Sequence, residues 1–152
     1  MSVAFRRESD DEHKEPKFEL PIPAGPNLVT ERGLALIEAR VAELENHVGA
    51  LAPGEALEEA KRDLRYWRQR LATAQIGPRP AEGEIGFGSE VEFRLNGKQR
   101  TVRIVGDDEA DPGAGMLALS APLAQALIGA GEGDLLAFGG REDAIEILAV
   151  RQ

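Results

Sequence analysis

"VGALAPGEALEEA", residues 48–60, joins two stretches of helical periodicity, and the direction the chain takes after it decides the fold. Upstream, Leu34, Ile37, Val41, Leu44, Val48 and Leu51 follow the alternating three-and-four spacing of a heptad seam. Thr30 stands ahead of that seam as its N-cap. Downstream, Leu57, Ala60, Leu64, Trp67, Leu71 and Ala74 form a second seam of similar length. Pro53 and Gly54 end the first helix, and two amphipathic helices joined by so short a turn bury their stripes by folding back on each other. The spacing therefore predicts an antiparallel coiled-coil hairpin over 29–76. Each arm of about 22 residues would be roughly 33 Å long at 1.5 Å per residue. No third amphipathic helix of comparable length completes a bundle, which favours a hairpin that projects.

The pattern changes on either side. "GPRPAEGE", 77–84, breaks the second helix and reads as a linker. The period then drops to two. "SEVEFRL" and "KQRTVRIVG" flank Asn96-Gly97, the strongest short-range signal of a tight hairpin turn. Strand-like "GMLALS", a short helix "PLAQALIGA" opened by Pro122, then "GDLLAFGG" and "DAIEILAV" complete a β-rich domain over 85–152. The fold class is α+β. Residues 1–28 are charged and then proline-rich, an extended or disordered arm from which Phe5, Phe18, Leu20 and Ile22 could dock.

Composition bounds the chemistry. Of 152 residues 42% are hydrophobic and 30% charged, as in a folded domain, but only 5% are aromatic, so the core is aliphatic and small. The absence of cysteine excludes a disulfide scaffold, a thiolate nucleophile and Cys-ligated metals. The opening residues carry no apolar signal region, and no run of about 18 apolar residues occurs, so the expected location is the cytoplasm, with no membrane partner. A net charge of -9 argues against unaided binding to a nucleic-acid backbone and favours a basic protein partner. "KRDLRYWRQR", 61–70, runs against that balance and reads as the solvated face of a helix.

Few residues stand at catalytic spacings. His13 and His47 lack partners at metal-ligand or catalytic intervals. "GDDEADPGAG", 106–115, resembles a calcium loop but places Pro112 where the sixth position needs Gly and Ala118 where the twelfth needs Glu. The glycines of "GEIGFGSE" precede a strand and miss the dinucleotide spacing. At the hairpin tip, Pro53 and Gly54 are followed by Glu55, Glu58 and Glu59, beside Asp63. Acids at a helix start are favoured by the macrodipole, and a carboxylate on a projecting tip can equally be offered to another molecule's metal. No metal site or resident cofactor is expected.

The stretches "FGS" at 87–89, "IVGDDEADPGAG" at 104–115 and "SAPLAQALIGAGEGD" at 120–134 resemble the globular domain of the Gre family of bacterial transcript cleavage factors. "RLATAQI", 70–76, is similar to the end of that family's second coiled-coil helix. The resemblance implies a hairpin followed by a small domain of the FK506-binding-protein-like (FKBP-like) fold. It also implies docking at the rim of the secondary channel of bacterial RNA polymerase, with the coiled coil inserted toward the active centre. Acids at the family's tip help hold a second Mg²⁺ that hydrolyses backtracked RNA, the metal activating water and stabilising phosphate charge. Counted back from "LATAQI", this chain reaches its Pro-Gly turn before the acidic tip motif; the motif is deleted. A tip shortened by about two helical turns per arm falls short by roughly 10 Å, too far for a carboxylate–Mg²⁺ bond of about 2 Å. The docking edge maps to Ser120, Ala121, Pro122, Leu123 and Gln125, with Gln125 and Ala130 where the family commonly has Arg and Lys.

These readings lead to an RNA polymerase-binding transcription elongation factor with weak or no stimulation of RNA cleavage, not an enzyme by itself. One alternative is an active cleavage factor using Glu55, Glu58 or Glu59 and the polymerase's Mg²⁺. Another is a prolyl isomerase, for which only Phe87, Phe93 and Phe138 are at hand to line a proline pocket; a last one is an interaction module for a non-polymerase protein. No small-molecule substrate and no sequence-specific nucleic-acid binding are expected.

Overall fold

A computed structural model describes residues 19–152. Strand β1 (Leu28–Val29) leads into helix α1 (Glu31–Ala50), and helix α2 (Glu55–Thr73) returns alongside it to strand β2 (Gln75–Ile76). Thr30 caps α1, its hydroxyl accepting from the Gly33 amide at 2.9 Å. Leu51 ends the helix with its amide on the Val48 carbonyl, and Gly54 opens α2 at φ 156 and ψ -172, a backbone region open to glycine alone. The seam is filled as its spacing predicts: Val41, Leu44 and Leu64 are buried, with Val48, Trp67 and Leu71 packed against them. The arms have 20 and 19 residues, about 30 Å at the ordinary helical rise.

At the base of the hairpin, Leu28, the last residue of the expected arm, joins Val29 in β1, which runs parallel to β2 with Leu28 opposite Gln75 and Val29 opposite Ile76. The Gln75 amide donates to the Asn27 carbonyl at 2.9 Å and the Gly77 amide to Val29 at 3.0 Å. The hydrophobic pattern is too short there for periodicity to register a strand. Phe5, His13 and Phe18 lie outside the described residues.

The second part is the α+β domain expected. Its five-stranded sheet has the order β5-β4-β3-β7-β6, from β3 (Glu90–Leu95), β4 (Lys98–Val105), β5 (Met116–Ala118), β6 (Leu135–Phe138) and β7 (Arg141–Arg151). The β3–β4 turn is the Asn96-Gly97 pair, with φ of 50 and 85 as a tight two-residue hairpin requires. Helix α3 (Pro122–Leu127) covers one face, so Leu123, Ala124 and Leu127 meet Val91, Phe93, Ile104, Ile145 and Ile147. Strand alternation sends charges to the other face, where Arg94 pairs with Glu146 at 3.0 Å and Arg151 with Glu90 and Glu92 at 3.0 and 3.2 Å. α3 is shorter than its sequence pattern, since Gly129 turns left-handed at φ 88 and its amide passes to the Ile85 carbonyl.

Candidate functional site

The hairpin tip is the first region singled out by the sequence. Pro53, Gly54, Glu55, Glu58 and Glu59 are all exposed there. Glu55 and Glu58 occupy the first turn of α2, where free amide groups favour negative charge. Glu58 also lies 3.7 Å from Lys61, an exposed pair one turn apart. Glu59 faces the opposite arm across a shallow groove that includes Arg40, His47 and Asp63. Among the described residues, no group of three or more His, Asp or Glu side chains is placed to hold a metal ion.

The second region is the edge around α3. Ser120, Pro122 and Gln125 are exposed, Ala121 is half-buried, and Leu123 belongs to the domain core. Two of the three exposed residues are already engaged. Ser120 Oγ donates to Asp107 at 3.2 Å, and the Gln125 amide donates to the Leu119 carbonyl at 2.7 Å. Ser120 and Gln125 border a cleft of about 390 Å³ whose far wall is Ala24, Pro26 and Leu28, so the chain ahead of β1 reaches this edge. Phe93 is wholly buried in the core of the sheet domain, and Phe87 and Phe138 pack against that same core, with Phe87 also bordering the cleft.

The third region, where hairpin and sheet domain meet, is one the sequence reading did not anticipate. The acidic loop after β4 supplies two consecutive carboxylates to the base of the hairpin. Asp108 accepts from Arg70 Nε at 2.6 Å and from the Tyr66 hydroxyl at 2.5 Å, both on α2. Glu109 accepts from the Thr30 hydroxyl at 2.5 Å and from Arg32 Nη1 at 2.8 Å, both at the start of α1. Behind them Arg70 Nη2 donates to Asn27 Oδ1 at 2.7 Å, and Asn27 Nδ2 returns a bond to the Arg70 carbonyl at 2.8 Å. Burial and the neighbouring Asp108 carboxylate push the Tyr66 phenol up to about 12.

The basic run 61–70 is thus not wholly a solvated face. Arg65 and Arg68 are exposed and pair with Glu19 and Glu45, but Arg70 is 2% exposed and points into the junction. The signal was available: Arg70 lies three residues after Trp67, on the inner side of the helix, where an arginine needs a buried partner. Glycines permit the close approach. A Cβ on Gly106 would stand 2.3 Å from the Leu28 carbonyl oxygen, and one on Gly33 2.8 Å from Glu109 Oε1.

The chain is thus a helical hairpin clamped at its base to a sheet domain, with acids at its free end. The family described as transcription elongation factor, GreA/GreB, C-terminal, matches residues 80–152. Transcription elongation factor GreA of Ralstonia nicotianae is 32% identical over 152 residues, an alignment taking in 81% of this chain and 96% of that protein. GreA of Thioalkalivibrio sulfidiphilus is 45% identical over 76 residues, 47% of this chain and 48% of that one. GreB of Neisseria meningitidis serogroup B is 39% identical over 101 residues, 62% of this chain and 61% of that one. The chain belongs to the Gre family of transcription elongation factors.

Proposed function

We propose that this chain binds bacterial RNA polymerase at the secondary channel through the Ser120–Gln125 edge and modulates transcription as a channel occupant, with little or no stimulation of RNA cleavage. The observation that carries the reading is the length of the hairpin. Helices of 20 and 19 residues close at Pro53-Gly54, and Glu55 and Glu58 occupy the first turn of α2, where they stabilise the helix start. The alignment with the Ralstonia protein supports it: 152 aligned positions take in only 81% of this chain, so that relative has residues with no counterpart here. A lever too short to bring carboxylates within bonding distance of a Mg²⁺ acts by obstruction, or by competition with longer relatives.

The test uses purified protein, backtracked polymerase elongation complexes and a long-armed family member as control. Binding and RNA shortening are measured together. Binding without shortening is the expected result. Shortening that disappears in the Glu55→Ala, Glu58→Ala, Glu59→Ala triple variant would make the tip catalytic and overturn the reading.

A further inference from the structure

The two apolar cores of the molecule are separate: one lies between the helical arms, the other beneath the sheet. The chain that links them, 77–84, is rich in proline and glycine and holds no helix or ladder strand. Beside the close approach of the Leu28 carbonyl to Gly106, a polar junction between the cores fixes the hairpin against the sheet domain. There the two helices are held by adjacent residues of a single loop, Asp108 on α2 and Glu109 on α1. Their side chains are 7% and 2% exposed, so solvent competes little for these bonds. Charge-assisted hydrogen bonds are short and directional, unlike apolar packing, which tolerates sliding.

We propose that Asp108 and Glu109 are positioning residues that set the direction of the hairpin on the sheet domain and so decide where the tip arrives. One carboxylate alone would leave the hairpin free to pivot about that contact; two, on opposite helices, remove the pivot. The consequence for transcription rests on the function proposed above, whereas the geometry is a property of the free chain.

The chain has no cysteine, so Ala52→Cys at the tip and Lys98→Cys at the β3–β4 turn give a clean pair of spin-label sites, both exposed. Pulsed electron paramagnetic resonance on the full chain should give one narrow distance distribution. In Asp108→Asn, Glu109→Gln the single distance should be lost to a broad distribution while circular dichroism keeps the helix and sheet signals. A narrow, unshifted distribution in that folded variant would overturn the proposal. Should the double variant unfold, Glu109→Ala with Arg32→Ala removes the Glu109 arm and leaves the Thr30 cap of α1 and the buried Arg70 pair intact. Partial broadening then supports the two-point arrangement, and none refutes it. Polymerase binding gives the second readout: the folded variants should keep their affinity and lose their effect on transcription, whereas Pro122→Ala should weaken affinity. If the unaltered chain fails to bind polymerase at all, the functional reading falls and the distance result stands by itself.

Discussion

Asp108 and Arg70 meet at 2.6 Å between the sheet domain and the second helix of the hairpin, with 7% and 2% of their side chains exposed. An ion pair so enclosed contributes less than its Coulomb attraction implies, because both groups lost their hydration; its strength shows when one partner is removed. The remaining hydrogen bonds, from Tyr66 to Asp108 and from Arg70 to Asn27, complete the coordination of both charges.

Asp108→Ala is therefore expected to destabilise the protein by about 3 kcal/mol or more, since it leaves the Arg70 guanidinium buried without its carboxylate. Arg94→Ala, which breaks the exposed pair with Glu146 on the sheet's outer face, should cost under about 1 kcal/mol. Urea denaturation followed by the fluorescence of Trp67, the sole tryptophan, measures both. Equal losses in the two variants would contradict the assignment of the junction as the sensitive point.

Tyr66 is the chain's sole tyrosine, so tyrosinate absorbance reports this residue alone. Its midpoint should lie near 12, and Asp108→Asn should bring it down toward the ordinary value of about 10, because the carboxylate's charge and hydrogen bond are among the causes of the rise. The folded state holds the phenolic proton more tightly than the unfolded chain does. The associated stability is thus complete below about pH 10 and is lost as pH rises toward about 12. Stability that rose between about pH 10 and about 12 would have the opposite sign and contradict this assignment.

Gly106→Ala tests the packing of β1. The position needs no positive φ; what excludes a side chain is the Leu28 carbonyl oxygen, 2.3 Å from the Cβ that would be added. A backbone atom cannot rotate aside, so β1 must shift and the Asn27 contacts with it. The expected loss is about 1–3 kcal/mol, with faster hydrogen exchange at the Gln75 and Gly77 amides that bond to the chain flanking and forming β1.

The hairpin and the β3–β4 turn were legible because each rests on local chemistry: heptad spacing, a Pro-Gly stop, and Asn-Gly at positive φ. Helix α3 was legible from Pro122 and its apolar spacing, which places Leu123 and Leu127 in the core. The junction was hidden for a different reason. Its bonds join positions separated by 38 to 79 residues, and charged residues carry no hydrophobic period that marks them as buried. A calcium pattern in loop 106–115 would require its acids to face one another. In the folded chain Asp108 and Glu109 face the two helices instead.

Gln125 offers the most direct test of the proposed docking edge. It is exposed, and its amide is satisfied by the neighbouring Leu119 carbonyl, so Gln125→Arg should change stability by no more than about 0.5 kcal/mol. Restoring the charge usual in the family should tighten polymerase binding by up to about tenfold and make it more sensitive to salt, as a charge-assisted contact does. Ala130→Lys restores the other missing charge at a different cost. Ala130 is 6% exposed, and its carbonyl holds the Ile85 amide at 2.8 Å, so a lysine must leave the core to stay hydrated. That variant should lose stability even if it gains affinity. Unchanged affinity and salt dependence in Gln125→Arg would place the polymerase contact away from this edge.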